Sequence, residues 1–400
     1  MMNKELVEKV RAIAQEIEPT LKEIRRQIHR HPERGFQEHE TAKLVLARLK
    51  RLGIRVRDKV GQTGVTGLLG GKGGGKTVGL RADMDALPIQ EHSRNPYKSQ
   101  ISGMMHACGH DAHVACLLGA AEILARLDIE IPGSVKFLFQ PNEEDVPSGA
   151  LAMIEAGVLD RPRVDVLIAL HVDPETPCGK IGIRAGAMLA EARDFAIRIL
   201  GRAGHGAHPH QAIDAIVAAA HFVTQLQSIV SRRVDPLEAA VVSVGEIRGG
   251  HADNIVADQV ELKGTVRCLN SRLGDELVRA LEAVLQGVTS AAGAQGQIQW
   301  TQGCTALVND PKVTKAIHRA ATQLYGSDAP HPHIPQSMGG DDFAYFLQRV
   351  PGAIFLLGTN DGSERTSYPL HHPQFDIDEK ALTVGAAVMA QTALNLLLEG

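Results

Sequence analysis

Residues 134–172 read SVKFLFQPNEEDVPSGALAMIEAGVLDRPRVDVLIALHV. Two apolar runs, SVKFLFQP and VDVLIALHV, flank GALAMIEAGVL, whose apolar spacing is that of a helix. Strands this continuously apolar are buried on both faces by crossover helices, as in parallel sheets. Strand, helix and strand at this separation predict an α/β sandwich. Upstream, TGVTGLLG and KTVGLRADM read as short strands joined by a glycine-rich hairpin turn, and residues 110–127 as a helix. Residues 5–31 and 38–52 read as helices separated by the turn HPERGF.

The rhythm changes near residue 190. RDFAIRIL reads as a strand, 211–232 as a long helix, AAVVSVGEIRG and QVELKGTVRCL as strands, 271–292 as a helix and QGQIQWTQ as a strand. That order is βαββαβ, the ferredoxin-like split unit. Residues 188–300 are therefore expected to form a domain inserted into a first domain of residues 1–187 and 301–400. Helix 311–326, strand AIFLLG and helix 378–398 resume the α/β pattern.

Composition narrows the function classes. The 400 residues carry 42 Lys and Arg against 46 Asp and Glu, a formal charge of −4, so no basic surplus points to nucleic acid. Five scattered cysteines argue against a disulfide framework and for a reducing compartment. The N-terminal stretch is charged and amphipathic, without the apolar core of a signal peptide. No apolar run is read as a membrane span, and the expected location is cytoplasmic. Gly70, Gly75, Lys76 and Thr77 fit GxxxxGK[ST], but a phosphate-binding loop must feed a helix, whereas TVGLRADMDA reads as a strand.

The segment MHACGHDAHVAC, residues 105–116, concentrates three histidines, two cysteines and an aspartate. Cys108 and His110 would point about 200° apart on a regular helix, so both face one ion only from a loop or a first helical turn. The run VACLLGAAEILARL predicts a helix starting there, whose dipole favours a thiolate. A metal centre is the leading reading; a buried cysteine with surface histidines is the other. Asp83 and Asp85, Glu143 and Glu144, and His171 all fall at expected C-terminal strand ends, where open α/β sheets build their sites. Adjacent glutamates in extended backbone point apart, so one can bind metal while the other faces substrate. A divalent cation lowers the pKa of water toward about 7, and a free carboxylate can then take the proton and pass it to a leaving amine. That division of labour suits amide hydrolysis.

The motifs HRHPERGFQEHETA, RADMDALPI, MHACGHDAHVACLLGAA, FQPNEE, ALHVDP, GRAGHGAHPH, GGHADNIVADQVELKGTVR, MGGDDFAYF and LHHPQFD cover nearly the whole chain in order. The sequence resembles the amidohydrolase branch of the aminoacylase and carboxypeptidase-type metallopeptidases. Hippurate hydrolase, bacterial N-acyl-amino-acid amidohydrolases and plant auxin-conjugate hydrolases belong there. The resemblance implies a two-metal, aminopeptidase-like α/β catalytic domain with an inserted lid that also forms a homodimer interface. It implies Cys108, His110, Glu144, His171 and His371 as metal ligands, with Cys108 the natural bridge, and Glu143 as general acid and base. Asp83 would orient a ligand imidazole. It further implies that His205, from the neighbouring subunit, stabilises the tetrahedral intermediate. Asn254 and Arg267 would hold the substrate's α-carboxylate, for which the planar guanidinium is suited.

Three departures stand out. Asp341 replaces the usual glutamate, one methylene shorter, which puts a contact to His371 or to substrate in doubt. Ala257 stands where proline is common, and Gln37 where an acid is frequent, far from the proposed chemistry. The expected reaction is metal-dependent hydrolysis of N-acyl or N-aroyl L-amino acids, or of short peptides at the C-terminal residue. A carbamoyl or amidino bond is the alternative chemistry, and a non-catalytic binding protein the alternative class. Two divalent ions per subunit are expected: zinc or manganese, with cobalt or nickel admitted by the same ligands.

Overall fold

The computed structural model describes residues 4–71, 74–331 and 334–398. They divide into two compact units, one of Met1–Gly186, Val308–Pro335 and Asp342–Gly400, the other of Ala187–Leu307 with Gln336–Asp341.

The first unit opens with α1 (Lys4–Glu16), α2 (Glu18–Arg30) and α3 (His39–Arg51). The single helix expected over 5–31 is thus two. Pro19 in the first turn of α2 lacks an N–H, which a helix start tolerates and a helix interior does not. Strands β1 (Arg55–Val60), β2 (Gly64–Gly70) and β3 (Thr77–Asp83) follow, then α4 (His110–Arg126), β4 (Ser134–Gln140), α5 (Gly149–Glu155) and β5 (Val166–Pro177). Among the described residues the sheet has eight strands. Their order is β1, β2, β4, β3, β5, Gly352–Asn360, Ile181–Gly182 and Pro330–His331.

The expected glycine-rich hairpin between β2 and β3 is absent. β4 lies between them, and Ser134 is the register partner of both Gly70 and Thr77. β3 and β4 are parallel, so α4 must cross over between them and bring β4 into the middle. Residues 72 and 73 of the glycine stretch lie outside the described residues. Lys76 leads into β3 rather than a helix, as the rejection of a phosphate-binding loop requires.

Every residue of β3 and β4 is buried; β4 reads as a continuous apolar run, whereas β3 includes the buried Arg81 and Asp83. α4 packs against α2 and against the helix Ala381–Leu398. That last helix corrects the expectation that no segment is long and apolar enough for a membrane. Its 18 residues have a mean hydropathy of 1.6, but 78% of them are buried in the core. Each large aliphatic side chain so buried contributes about 1.5–3 kcal/mol.

In the second unit the strands Ala240–Gly249, Gln259–Cys268, Glu191–Leu200 and Gln295–Cys304 lie in that spatial order, each antiparallel to its neighbour. With helices Ala215–Arg233 and Ser271–Ala292 this is the ferredoxin-like βαββαβ topology. The unit has its own core, including Phe195, Phe222, Leu226, Leu262 and Leu281. The long helix starts at Ala215 rather than 211, because Asp214 caps it by accepting the Ile216 and Val217 N–H groups. Ala257, at the position where proline is common, is buried and its carbonyl accepts the Ala215 N–H.

Candidate metal centre and active site

Parallel β3 and β4 end side by side, at Asp83 and Gln140. The chain leaving β4 carries Glu143 and Glu144. α4 begins at His110, preceded by Gly109 in the left-handed region at φ 82°. A Cβ on Gly109 would stand 2.4 Å from Val172 Cγ2, so only glycine lets Cys108 and His110 turn toward one point. His171 does not end its strand as expected, since β5 runs on to Pro177 beside Gly352–Asn360. The ladder with β3 stops at the Arg81–Ala169 pair, however, so His171 lies past the last residue of β5 paired with β3.

These segments bring Cys108, His110, Glu143, Glu144, His171 and His371 together. Cys108 Sγ lies 3.4 Å from His171 Nε2. Donor atoms of Cys108, His110 and His171 form one group within 4.8 Å of each other, and those of Cys108, Glu144 and His371 form another. Cys108 belongs to both. His371 is held at φ 65°, and its N–H donates to the Ala107 carbonyl at 2.8 Å, anchoring it beside Cys108. Its Nε2 stands 3.4 Å from Glu144 Oε1.

Hydrogen bonds set the imidazole tautomers. His110 Nδ1 faces the Asp85 carbonyl at 2.9 Å, and His171 Nδ1 the Val172 carbonyl at 2.8 Å. A carbonyl only accepts, so each Nδ1 carries the proton and each Nε2 presents a lone pair to the cluster. His113 is turned the other way. Its Nε2 accepts the Val172 N–H at 3.0 Å, and its Nδ1 donates to Asp83 Oδ1 at 2.6 Å. Burial brings the His113 imidazole down to about 4, so it stays neutral.

Asp83 was expected to orient a ligand imidazole, but the imidazole it hydrogen-bonds is His113, which is not among the expected ligands. Asp83 stands 3.8 Å from His110 Nε2. Burial opposes its charge, yet Arg81 at 2.6 Å and the two imidazoles hold it well below the usual carboxylate range. Three further residues had no individual role assigned from the sequence, although Asp85 was placed at the same strand end as Asp83. Asp85 Oδ2 accepts the Glu144 N–H at 3.0 Å, while its carbonyl orients His110. His113 belongs to the histidine-rich segment but had no assigned partner. Asp342 ties the end of the sheet. It accepts from Arg81 Nη2, Gln140 Nε2, the Ser148 hydroxyl and the Ala150 N–H, and its own N–H stands 3.4 Å from Glu143 Oε1. The paired aspartates of GGDDF were the only available signal.

The residues present fit a pair of divalent cations. His110 Nε2 and Glu144 Oε1 are buried without a hydrogen-bond partner among the described residues, an arrangement costing about 1–3 kcal/mol per atom unless something else satisfies them. A carboxylate oxygen of Glu144 stands 3.9 Å from that His110 nitrogen, too far for a hydrogen bond and spaced as around an ion. Burial, then Glu144, Glu143 and Asp83, push the Cys108 thiol well up, so a thiolate there requires positive charge beside it.

The remaining expected residues lie in the second unit. His205 and Ile255 are ladder partners, and the Gly206 N–H donates to the Asn254 carbonyl at 2.8 Å, so His205 and Asn254 are neighbours, both exposed. His205 Nδ1 accepts the Ala207 N–H, leaving Nε2 as the protonated, outward nitrogen. Arg267 lies on the strand Gln259–Cys268, and its Nη1 donates to the Met338 carbonyl at 3.0 Å, shortly before the buried Asp341.

Comparison with known proteins decides the family. The description of peptidase family M20/M25/M40 matches residues 79–395. The chain belongs to that family. A thermostable carboxypeptidase of Saccharolobus solfataricus is 37% identical over 394 residues, covering 98% of this chain and 99% of its own. An N-acetylcysteine deacetylase of Bacillus subtilis is 38% identical over 375 residues, covering 94% and 96%. A solved Bacillus subtilis structure described as a dinuclear metal binding peptidase of the M20 family superposes with a TM-score of 0.84 at 34% identity, covering 96% and 99%. This M20 chain is an enzyme, a metal-dependent hydrolase of amide bonds.

Proposed function

We propose that this M20 hydrolase cleaves the amide bond of N-acyl or N-aroyl L-amino acids, hippurate-like, or of short peptides at the C-terminal residue, releasing a free amino acid. The observation that carries the reading is the position of Cys108 in two donor groups at once, with the Glu143 carboxylate beside them. Cys108, His110 and His171 would hold one cation, and Cys108, Glu144 and His371 the other. Zinc or manganese suits the mixed thiolate, imidazole and carboxylate set, and cobalt or nickel is admitted. When bound, such a pair polarises an amide carbonyl and lowers the pKa of water.

The chain's own residues do the rest. Glu143 accepts the proton of the attacking water on its carboxylate and returns it to the leaving amine nitrogen. The Asp342 N–H beside Glu143 Oε1 limits the directions the carboxylate can take. Arg267 engages only Nη1 among the described residues, which keeps Nε and Nη2 for the substrate's α-carboxylate, with Asn254 as the second donor. His205 of the partner subunit would donate from Nε2 to the developing oxyanion. The Ala187–Leu307 unit would serve as lid and homodimer interface. All five cysteines are free thiols, in keeping with a cytoplasmic enzyme.

The test is a panel of N-acetyl, N-benzoyl, N-carbamoyl and dipeptide substrates, run on stripped enzyme with each metal added back. Turnover of N-acyl, N-aroyl or dipeptide compounds is expected. Turnover confined to N-carbamoyl compounds would replace the reading with its alternative.

A further inference from the structure

The segment HPERGFQE, residues 31–38, contributes nothing to the donor groups, yet it touches both loops that carry them. The Glu33 carbonyl accepts the Ala86 N–H at 2.8 Å, next to Asp85, whose carbonyl orients His110. The Glu33 carboxylate accepts the Glu40 and Thr41 N–H groups, starting α3. Arg34 reaches the same loop as the paired glutamates, donating to Asp145 Oδ2 at 3.0 and 3.1 Å. Glu38 goes deepest. It is fully buried, one oxygen accepting the Thr63 hydroxyl and the other the Asn142 N–H at 2.8 Å.

Asn142 is the residue before Glu143, and it sits in the left-handed region at φ 47°. Its side chain is pinned too, donating to the carbonyls of Asp145 and Pro147 at 3.0 and 2.7 Å. Gly35 packs so closely that a Cβ there would overlap Asn142 Oδ1 at 1.6 Å. Two backbone amides flanking Glu143 thus end on buried carboxylates: Asn142 N–H on Glu38, and Glu144 N–H on Asp85. A residue away from its preferred backbone region persists only where its surroundings over-determine it.

We infer that Glu38 is a positioning residue for the acid–base step, its carboxyl group clamping the left-handed turn at Asn142 that aims Glu143 at the substrate. The inference rests on the proposed role of Glu143. Reach, not charge, is what the clamp needs. A glutamine keeps an acceptor for Asn142 N–H, and its amide can donate to Thr63, whose hydroxyl rotates to accept. An aspartate keeps the charge but is one methylene too short.

The experiment measures kcat, KM, metal content and thermal midpoint for Glu38→Ala, Glu38→Asp and Glu38→Gln, with Glu143→Ala as control. Misplacing a reacting group by about 1 Å costs on the order of 100-fold in rate. Glu38→Ala and Glu38→Asp should lose about 10- to 100-fold in kcat, with KM within about threefold and two metals retained. Glu38→Gln should stay within about threefold of the parent enzyme. If Glu38→Ala does not fold, the contrast between the aspartate and glutamine variants decides alone. Parent-like kcat in folded Glu38→Asp overturns the inference, and so does a Glu38→Gln loss as deep as that of Glu38→Asp. Activity in metal-replete Glu143→Ala would instead remove the reading beneath it. An inactive Glu143→Ala alongside a fully active Glu38→Asp removes the clamp only.

Discussion

His113 and Asp83 are joined by a 2.6 Å hydrogen bond from Nδ1 to Oδ1, which ties α4 to the end of β3, while the other ring nitrogen takes the Val172 N–H of β5. One neutral imidazole thereby fixes the spacing of three elements, two of which, α4 and β5, carry His110 and His171. The Asp83 carboxylate also faces His110 and neutralises the buried Arg81.

Replacing that carboxylate should loosen the metal without removing a ligand. Asp83→Asn keeps an acceptor for His113 but loses the charge. Partners of this kind typically change metal affinity by about 10- to 100-fold. Competition titration against a chelator should show that loss, whereas affinity equal to the parent enzyme would mean that Asp83 serves stability alone.

Glu143 belongs to neither donor group that contains Cys108. Glu143→Ala should therefore keep its metal and lose about 10²- to 10⁴-fold in kcat, the usual contribution of a positioned acid or base. Metal analysis beside steady-state kinetics checks both halves. Hydrolysis at the parent rate in a metal-replete variant would assign the proton transfer elsewhere.

A second buried cluster gives a pH signature. His29 Nδ1 lies 2.8 Å from Asp111 Oδ2, beside the buried Arg25. Burial lowers the His29 pKa, but Asp111 and Glu91 outweigh it, and the imidazole is pushed up to about 9. A folded value above the unfolded one means the stabilisation is complete below about pH 6.5 and is lost as pH rises through about 9. Urea unfolding of the parent enzyme and of His29→Gln should differ most at pH 6 and converge by pH 10. The change in that difference should be at most about 3 kcal/mol. A difference independent of pH would mean that His29 is neutral in the folded protein.

Much of this was legible in the sequence because burial on both faces writes continuous apolar runs, as in β4 and β5. The donors Cys108, His110, Glu144, His171 and His371 were named from motif order. What stayed hidden depends on register between distant segments. That β4 separates β2 from β3 is set by the crossover through α4, not by the glycine-rich stretch between them. His113 and Asp85 act partly through backbone partners distant in sequence, the Val172 N–H and the Glu144 N–H, which no local pattern reveals. Nothing in the sequence singles out Asp342 as the acceptor from Arg81, Gln140 and Ser148. The segment around Gln37 was placed far from the chemistry, while its neighbour Glu38 reaches Asn142.

The most direct measurement is anomalous scattering from crystals of the metal-replete enzyme and of Cys108→Ala, with metal content determined in solution. Shared ligation by one sulfur gives two peaks about 3.5–4 Å apart, both bonded to Cys108 Sγ, and both weakened or lost in the variant. A single peak, or a second ion held away from Cys108 and unaffected by its replacement, would contradict the account.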